Sequence, residues 1–483
     1  MKILITGIIG FIGFHTALKL LIEGNEIIGI DNINDYYDIN LKKENLRILN
    51  FYDNFTFIKE DIIDSNCIDN FKPDKVIHLA AMAGVRYSFK NPKLYCRVNI
   101  EGTVNLLEQS KNNNVKMFVY ASSSSVYGNN DNKFKESEDL NEPESIYAAT
   151  KRSVEMMAKL YNKTYGLNVI GLRFFTVFGP RGRPDMAPRK FLEKVIREEH
   201  IDKYGDGSSY RDYTYIDDIV NGICLSVDSK YTNEIFNLGN DRTYTLNKFI
   251  EYIGEVTNKN VNINQMGKQV GDVNGTNANI EKSIDMLGYN PKISFRDGLL
   301  NTYKYLLDWD KLSKIRIIQT GDKRTGSTLL VNMVYGFLNR KERVSIGSAR
   351  DNLIVKMHTL DLNKWEQKYN NYNLFWVISE REKKKRLDSK YRNLNNVLII
   401  DYDELNETDS NSLENICNNI VNKFIDFFPD ILLPGVGKEV LYDNVLDRIR
   451  NMNKRYDEIR KLNFSYIDDF YQIHGSHKTK DQK

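Results

Sequence analysis

The chain has 483 residues, which allows roughly two to four domains. Hydrophobic residues make up 41% and charged residues 28%, ordinary values that exclude wholesale disorder and leave ample chain for a large core. Lys plus Arg number 68 against 65 Asp plus Glu, a net charge of +3 that argues against nucleic-acid binding driven by bulk charge while allowing a local basic pocket.

In chain order, KILIT (2–6) reads as a buried strand, 11–23 as a helix and EIIGID (26–31) as the next strand. KVIHLAA (75–81), KMFVYAS (116–122), NVIGLRF (168–174) and EIFNLG (234–239) follow, most of them separated by helical stretches. This alternation implies right-handed βαβ units and a mostly parallel sheet. Between about 180 and 300 the pattern loosens, as a smaller substrate domain would. Residues 295–309 read as a helix, LDWDKLSK as a polar connector, and IRIIQTG (315–321) as the strand that opens a second α/β domain. FWVIS (375–379) and NVLIID (396–401) are two more apolar strands. The expected division is a first domain over 1–309, a second over 312–473 and a disordered basic tail over 474–483.

Cys67, Cys96, Cys224 and Cys417 lie far apart with no CxxC, so a disulfide scaffold or zinc ribbon is excluded and a reducing compartment fits. The six histidines form no HExxH or HxxxH pair, so no metal site is expected. No stretch reaches the ~18 apolar residues of a membrane helix. The apolar N-terminus carries three regularly spaced glycines and no small-residue cleavage site, unlike a signal peptide. A cytoplasmic protein is the expectation.

Those glycines, Gly7, Gly10 and Gly13, form GxxGxxG between the first strand and the first helix. Glycines there let backbone amides and a helix N-terminus approach a pyrophosphate. Asp31 ends the second strand, where a carboxylate binds ribose hydroxyls and repels a 2′-phosphate, so NAD is favoured over NADP. Ile8 and Ile9 are bulky for such a loop. Tyr147 and Lys151 form YxxxK, one helical turn apart on one face. Tyr244 and Lys248 match the same pattern; only the first pair follows a strand ending in ASSSSVYG (121–128). A phenol with a pKa near 10 needs roughly 4 kcal/mol of phenolate stabilisation to act as a base at pH 7. A lysine ammonium and a positive nicotinamide ring are expected to supply it, with a serine sharing the proton.

Residues 1 to about 309 resemble the extended short-chain dehydrogenase/reductases, in particular nucleotide-sugar epimerases and among them UDP-glucuronate 4-epimerases. The likeness lies in TGIIGFIG (6–13), DNINDYYD (31–38), HLAAMAGVRYS (78–88), ESIYAATKRS (144–153), RFFTVFGPRGRPDMA (173–187) and RDYTYIDDI (211–219). The resemblance implies a Rossmann-type doubly wound sheet with a small substrate domain. It implies that Tyr147 takes the O4 proton of a UDP-sugar while hydride passes from C4 to NAD, and that hydride returns to the other face of the 4-keto sugar. It makes Ser123 the proton-sharing serine, with Ser124 and Ser125 near the sugar. Related dehydratases carry Asp-Glu at those two positions, so 4,6-dehydration is disfavoured. Asn32, Asp61, Ile62, Ala80 and Asn99 join the cofactor set. Thr176 stands where glucose-type epimerases carry Asn, and Arg183 suits bidentate contact with a carboxylate. Arg86 is a second candidate for that contact. Arg211 and Asp272 resemble residues that hold the UDP phosphates and ribose, and Asn279 replaces a usual Asp. A homodimer is expected. Two other readings remain: an epimerase acting on another UDP-hexose, and a non-catalytic NAD-binding scaffold.

In the second domain TGDKRTGSTLLVNMV lacks the GxxxxGK[ST] of nucleoside triphosphatases but is fit for a phosphate, as a basic, Gly/Ser/Thr-rich turn opening a helix. With His358 after one apolar strand and Arg381 and Ser389 after another, the order resembles sulfotransferases that use 3′-phosphoadenosine 5′-phosphosulfate. The likeness covers about 312 to 405. It implies that Arg324, Thr325, Gly326, Ser327 and Thr328 hold the 5′-phosphosulfate, Arg381 and Ser389 the 3′-phosphate, and that His358 is the base for a glycan-type hydroxyl. The combined expectation is a bifunctional enzyme; the alternative is a C-terminal module that only binds a nucleotide or partner.

Overall fold

The structure is a computed structural model. It describes residues 1–50, 52–129, 133–140, 142–267 and 274–313, together with the backbone of five later strands. It divides into two units, Met1–Leu307 and Asp308–Lys483. Asp272, residues 324–328, His358, Arg381, Ser389 and the tail from 474 lie outside the described residues.

In the first unit strands and helices alternate. They run β1 (Lys2–Thr6), α1 (Phe11–Ile22), β2 (Glu26–Ile30), α2 (Ile39–Leu49), β3 (Phe55–Ile58), α3 (Cys67–Phe71) and β4 (Lys75–His78). Next come α4 (Val85–Lys90), α5 (Pro92–Tyr95), α6 (Gly102–Asn112), β5 (Met117–Ser123), α7 (Ile146–Tyr165) and β6 (Val169–Phe174). A π-helical turn, Cys96–Glu101, joins α5 to α6, and a 3₁₀ turn, Ser124–Tyr127, follows β5. Then come β7 (Thr176–Phe178), α8 (Ala187–Ile196), β8 (Ile201–Tyr204), β9 (Tyr210–Tyr215), α9 (Ile216–Val227) and β10 (Asn233–Leu238). The unit finishes with β11 (Thr243–Thr245), α10 (Leu246–Thr257), β12 (Ile263–Met266), α11 (Glu281–Leu287) and α12 (Phe295–Ser313).

Seven strands form one parallel sheet in the order β10-β6-β5-β4-β1-β2-β3. This is a Rossmann-like α/β domain. Its central strands are buried on both faces, so they are near-continuous apolar runs. Ile3, Leu4, Ile5, Val76, Ile77, Phe118 and Val119 are wholly buried. The order reverses beside β1, with β2 on one side and β4 on the other. Such a reversal opens a crevice at the carboxyl ends of the strands, where ligands of these sheets bind. The looser region after 180 forms a three-stranded sheet, β11-β9-β7, and a two-stranded one, β12-β8.

Two elements depart from the sequence reading. β3, FTFI, carries no period of its own and exists by pairing along β2 at the sheet edge. α12 runs on to Ser313 through the segment read as a connector. That segment, LDWDKLSK, has no Gly or Pro to stop a helix.

In the second unit β13 (Ile315–Gly321), β14 (Ser345–Ile346), β15 (Ile354–Lys356), β16 (Asn373–Glu380) and β17 (Val397–Asp401) form a parallel sheet in the order β14-β15-β13-β16-β17.

Candidate active site

The loop from β1 to α1 is built around its glycines. Gly7 adopts φ +69°, and a Cβ there would sit 2.8 Å from the Ala80 amide nitrogen. A Cβ on Gly13 would lie 2.2 Å from the Gly7 carbonyl oxygen. Neither position tolerates a side chain without moving backbone. Gly10 is the N-cap of α1 and offers no side-chain cap, so the first amides of the helix remain available to an anion. Ile8 and Ile9 do not crowd the loop. Both are fully buried, and Ile8 fills the space a Cβ on Gly29 would need.

Asp31 follows β2 directly and is 9% exposed. Burial pushes its carboxyl above the usual range, against the Lys42 charge and the amides of Ile33 and Ile9. Lys42 itself donates to the Asn34 carbonyl at 2.9 Å and to Asn34 Oδ1 at 2.8 Å. Asn32 Nδ2 donates to Asp61 Oδ2 at 2.9 Å, and Asp61 Oδ1 accepts the Ile63 amide at 3.1 Å. Ile62 is buried, and the Ala80 amide donates to Thr6 Oγ1 at 3.1 Å. The glycine cradle, open helix end and terminal carboxylate together fit NAD. Asn99 holds backbone in place. It brackets Met82, accepting its amide at 2.8 Å and donating to its carbonyl at 3.0 Å, and it donates to Thr150 Oγ1 at 3.0 Å. It thus ties the loop after β4 to α7.

α7 begins at a Ser145 cap whose Oγ accepts the Ala148 amide at 3.1 Å, and it ends at Gly166 in the left-handed conformation. Tyr147 therefore lies in the first turn and Lys151 one turn later. Lys151 is 4% exposed and donates to the Ala121 carbonyl at 2.8 Å. Burial lowers its pKa to about 8, opposed by Glu155. Ser123, at the end of β5, lies close enough to the Tyr147 hydroxyl to favour its ionised form. Ser123 Oγ also accepts the Ser125 amide at 3.2 Å and the Ser125 hydroxyl at 3.0 Å. Burial raises the Tyr147 pKa, with Ser123 and Arg183 opposing the rise, and Lys151 Nζ lies 6.0 Å from the Tyr147 ring centroid. The Lys151 ammonium donates to the Ala121 carbonyl, and burial makes it a stronger acid than a free lysine.

Tyr244 and Lys248, the matching sequence pair, form no site. Tyr244 packs on Phe295 with ring centroids 4.9 Å apart, while Lys248 pairs with Glu251 at 2.6 Å in solvent.

Arg183 and Thr176 lie on the stretch after β6. Arg183 Nε donates to Asp185 Oδ1 at 3.0 Å, and its guanidinium lies 5.2 Å from the Tyr36 ring centroid. Its charge is felt at Tyr147, which brings this loop and α7 to one place. Thr176 and Ser124 are half-buried. Arg86 is exposed on α4. Arg211 Nη1 donates to the Tyr210 carbonyl at 2.8 Å and lies 3.4 Å from the Asn274 carbonyl. Asn279 is buried, and its Oδ1 accepts the Glu281 amide at 3.1 Å in the turn that leads into α11.

Three features of the site were not read from sequence. Tyr36 and Asp185 close around Arg183, across 147 residues in the case of Tyr36. Gly84, at φ +98°, leaves room for the Tyr36 hydroxyl, which a Cβ would approach to 2.8 Å. Glu155 and Arg173 form a buried ion pair beneath Lys151. Glu155 was detectable, since Tyr147, Lys151 and Glu155 repeat every four residues along one helix face.

The family described as GDP-mannose 4,6 dehydratase matches residues 4–302. The chain belongs to this family. The UDP-glucuronate 4-epimerase of Thermodesulfobacterium geofontis is 39% identical over 64% of this chain and 95% of its own length. Protein CapI of Staphylococcus aureus is 42% identical over 64% of this chain and 100% of its own. The UDP-glucuronic acid 4-epimerase of Bacillus cereus, solved with UDP-glucuronic acid and NAD, is 34% identical, with a TM-score of 0.62 over 64% of this chain and 100% of its own.

Proposed function

We propose that the first unit is an NAD-dependent UDP-sugar 4-epimerase whose preferred pair is UDP-glucuronate and UDP-galacturonate. The meeting of Ser123 and Tyr147 at the crevice of an NAD-type sheet carries this reading. The relatives named UDP-glucuronate 4-epimerases support the sugar. NAD, when bound, supplies the acceptor for the C4 hydride and its return. Tyr147 takes and returns the O4 proton, and Ser123 shares it. Lys151 holds the strand end at Ala121 and adds positive charge beside the phenol. Ser124, Ser125 and Thr176 line the sugar side, Arg183 receives the carboxylate with Arg86 nearby, and Arg211 and Asp272 bind the UDP portion. No acid stands at the positions of Ser124 and Ser125, which favours epimerisation over loss of the 6-hydroxyl.

The second domain, from about 312, is proposed as a sulfotransferase using 3′-phosphoadenosine 5′-phosphosulfate with a glycan-type acceptor. Its support is the residue order around 324–328, 358, 381 and 389. A second support is the position of β13, with β15 on one side and β16 on the other, so that the chain leaving Gly321 does so at a switch in strand order. Incubating the full protein with UDP-glucuronate and the sulfate donor, with products read by mass spectrometry, tests both. UDP-galacturonate and a sulfated product are expected. An untouched UDP-glucuronate with epimerised UDP-glucose removes the uronate assignment, and an intact sulfate donor with a panel of glycan acceptors removes the transferase.

The protein is further proposed to be a cytoplasmic homodimer. No helix among the described residues is long and apolar enough to cross a membrane. On one face of α7, Met156 and Leu160, a turn apart, are 66% and 53% exposed, with Met157 beside them 37% exposed, an apolar patch suited to a second copy. Light scattering should give twice the chain mass, and Met156→Glu with Leu160→Glu should halve it. A monomeric wild type ends this proposal.

A further inference from the structure

We propose that Asp185 sets the balance between charged and neutral sugars by partly neutralising Arg183. This inference rests on the uronate reading above. The two residues flank Pro184 in the loop between β7 and α8. Asp185 takes the Nε–Nη2 edge of the guanidinium, with Nε to Oδ1 at 3.0 Å and Nη2 to Oδ2 at 2.5 Å. Tyr36 completes the arrangement. Its hydroxyl accepts from Arg183 Nη2 at 3.3 Å and donates to Asp185 Oδ2 at 3.4 Å. Among the described residues, Arg183 Nη1 has no hydrogen-bond partner, so this is the nitrogen left to meet a ligand.

The geometry gives Asp185 two opposed effects. Its two oxygens hold the guanidinium plane over the Tyr36 ring, which orients Nη1. Its negative charge sits against the same cation that a uronate must approach, so an incoming carboxylate meets an ion pair rather than a lone positive charge. A neutral 6-hydroxymethyl group feels no such opposition. The side chain of Arg183 is 18% exposed and that of Asp185 43%, so water does not erase the effect at the arginine. Asp185 therefore lowers discrimination in favour of uronates while keeping Arg183 in place.

Asp185→Asn retains one acceptor for the guanidinium and removes the charge. Asp185→Ser removes the same charge without introducing an amide. Each is compared in the full chain, saturated with NAD and carrying Tyr147→Phe so that turnover does not blur binding. Calorimetry then gives the dissociation constants of UDP-glucuronate and UDP-glucose. The ratio of the two constants should move about tenfold towards UDP-glucuronate in both variants, a change of about 1.4 kcal/mol. Binding of UDP-glucuronate should also become more salt-sensitive, which a purely structural role would not produce. A ratio that stays put or moves towards UDP-glucose overturns the proposal. Turnover of UDP-glucuronate by the wild type is measured separately, and its absence would sink the functional reading instead.

Discussion

Tyr147→Phe should slow epimerisation of the UDP-sugar about a thousandfold while the protein still folds and binds NAD. The substitution removes one oxygen and leaves a ring of the same shape against Tyr95, whose ring centroid is 6.2 Å away. General acid–base catalysis contributes typically 10²–10⁴ in rate, the scale of the expected loss. Ser123 lies beside Tyr147, but a neutral serine hydroxyl is far too weak a base to take the proton by itself. Burial pushes the phenol above its ordinary value, and Ser123 and the Arg183 charge pull it back. Single-turnover measurement of C4 inversion checks the loss, and a variant within tenfold of the wild type would remove Tyr147 from the mechanism.

Glu155→Gln should destabilise the first unit by about 3–5 kcal/mol, the usual cost of leaving a buried charge without its partner. For a unit of this size that lowers the melting temperature by roughly 10 °C. Glu155 and Arg173 have side chains only 6% and 4% exposed. Arg173 meets the carboxylate through Nε at 2.9 Å and Nη2 at 2.8 Å, and Ser122 donates to it at 2.5 Å. The amide keeps one acceptor and leaves the guanidinium uncompensated. Arg173 then retains little beyond the Tyr127 ring, 4.7 Å away, because its Nη1 already has no hydrogen-bond partner among the described residues. The same change reaches the reaction. Glu155 raises the Lys151 pKa against the burial that lowers it to about 8. Without that charge the lysine loses its proton at lower pH, so the alkaline limb of kcat/KM moves to lower pH. A pH–rate profile that keeps its alkaline limb would leave Glu155 with a structural role only.

The parallel sheet was legible because buried strands are near-continuous apolar runs and the helices between them carry their own period. β1, β2, β4, β5, β6 and β10 all stand out this way. β3 does not, because four residues on an edge take their form from pairing with β2. The segment LDWDKLSK misled because a polar composition does not by itself stop a helix, and the stretch has no Gly or Pro to do so.

The candidate site divides along the same line. Gly7, Gly10, Gly13 and Asp31, and Tyr147 with Lys151, lie close in the chain, so spacing alone aligns them. Two YxxxK pairs matched, the preceding ASSSSVYG strand end singled out the first, and packing agrees. Tyr147 faces Ser123, whereas Tyr244 is held in an aromatic cluster.

By itself, then, the sequence determined the strand–glycine–helix cradle, the terminal carboxylate and the helical pair, because each is a local pattern with a local physical cause. The tertiary structure alone decided that burial raises the Tyr147 phenol, that Arg183 is shared between Tyr36 and Asp185, and that Arg173 closes the ion pair under Lys151. Those outcomes depend on desolvation and on distances between segments far apart in the chain, and neither quantity exists until the sheet brings the ends of its strands together.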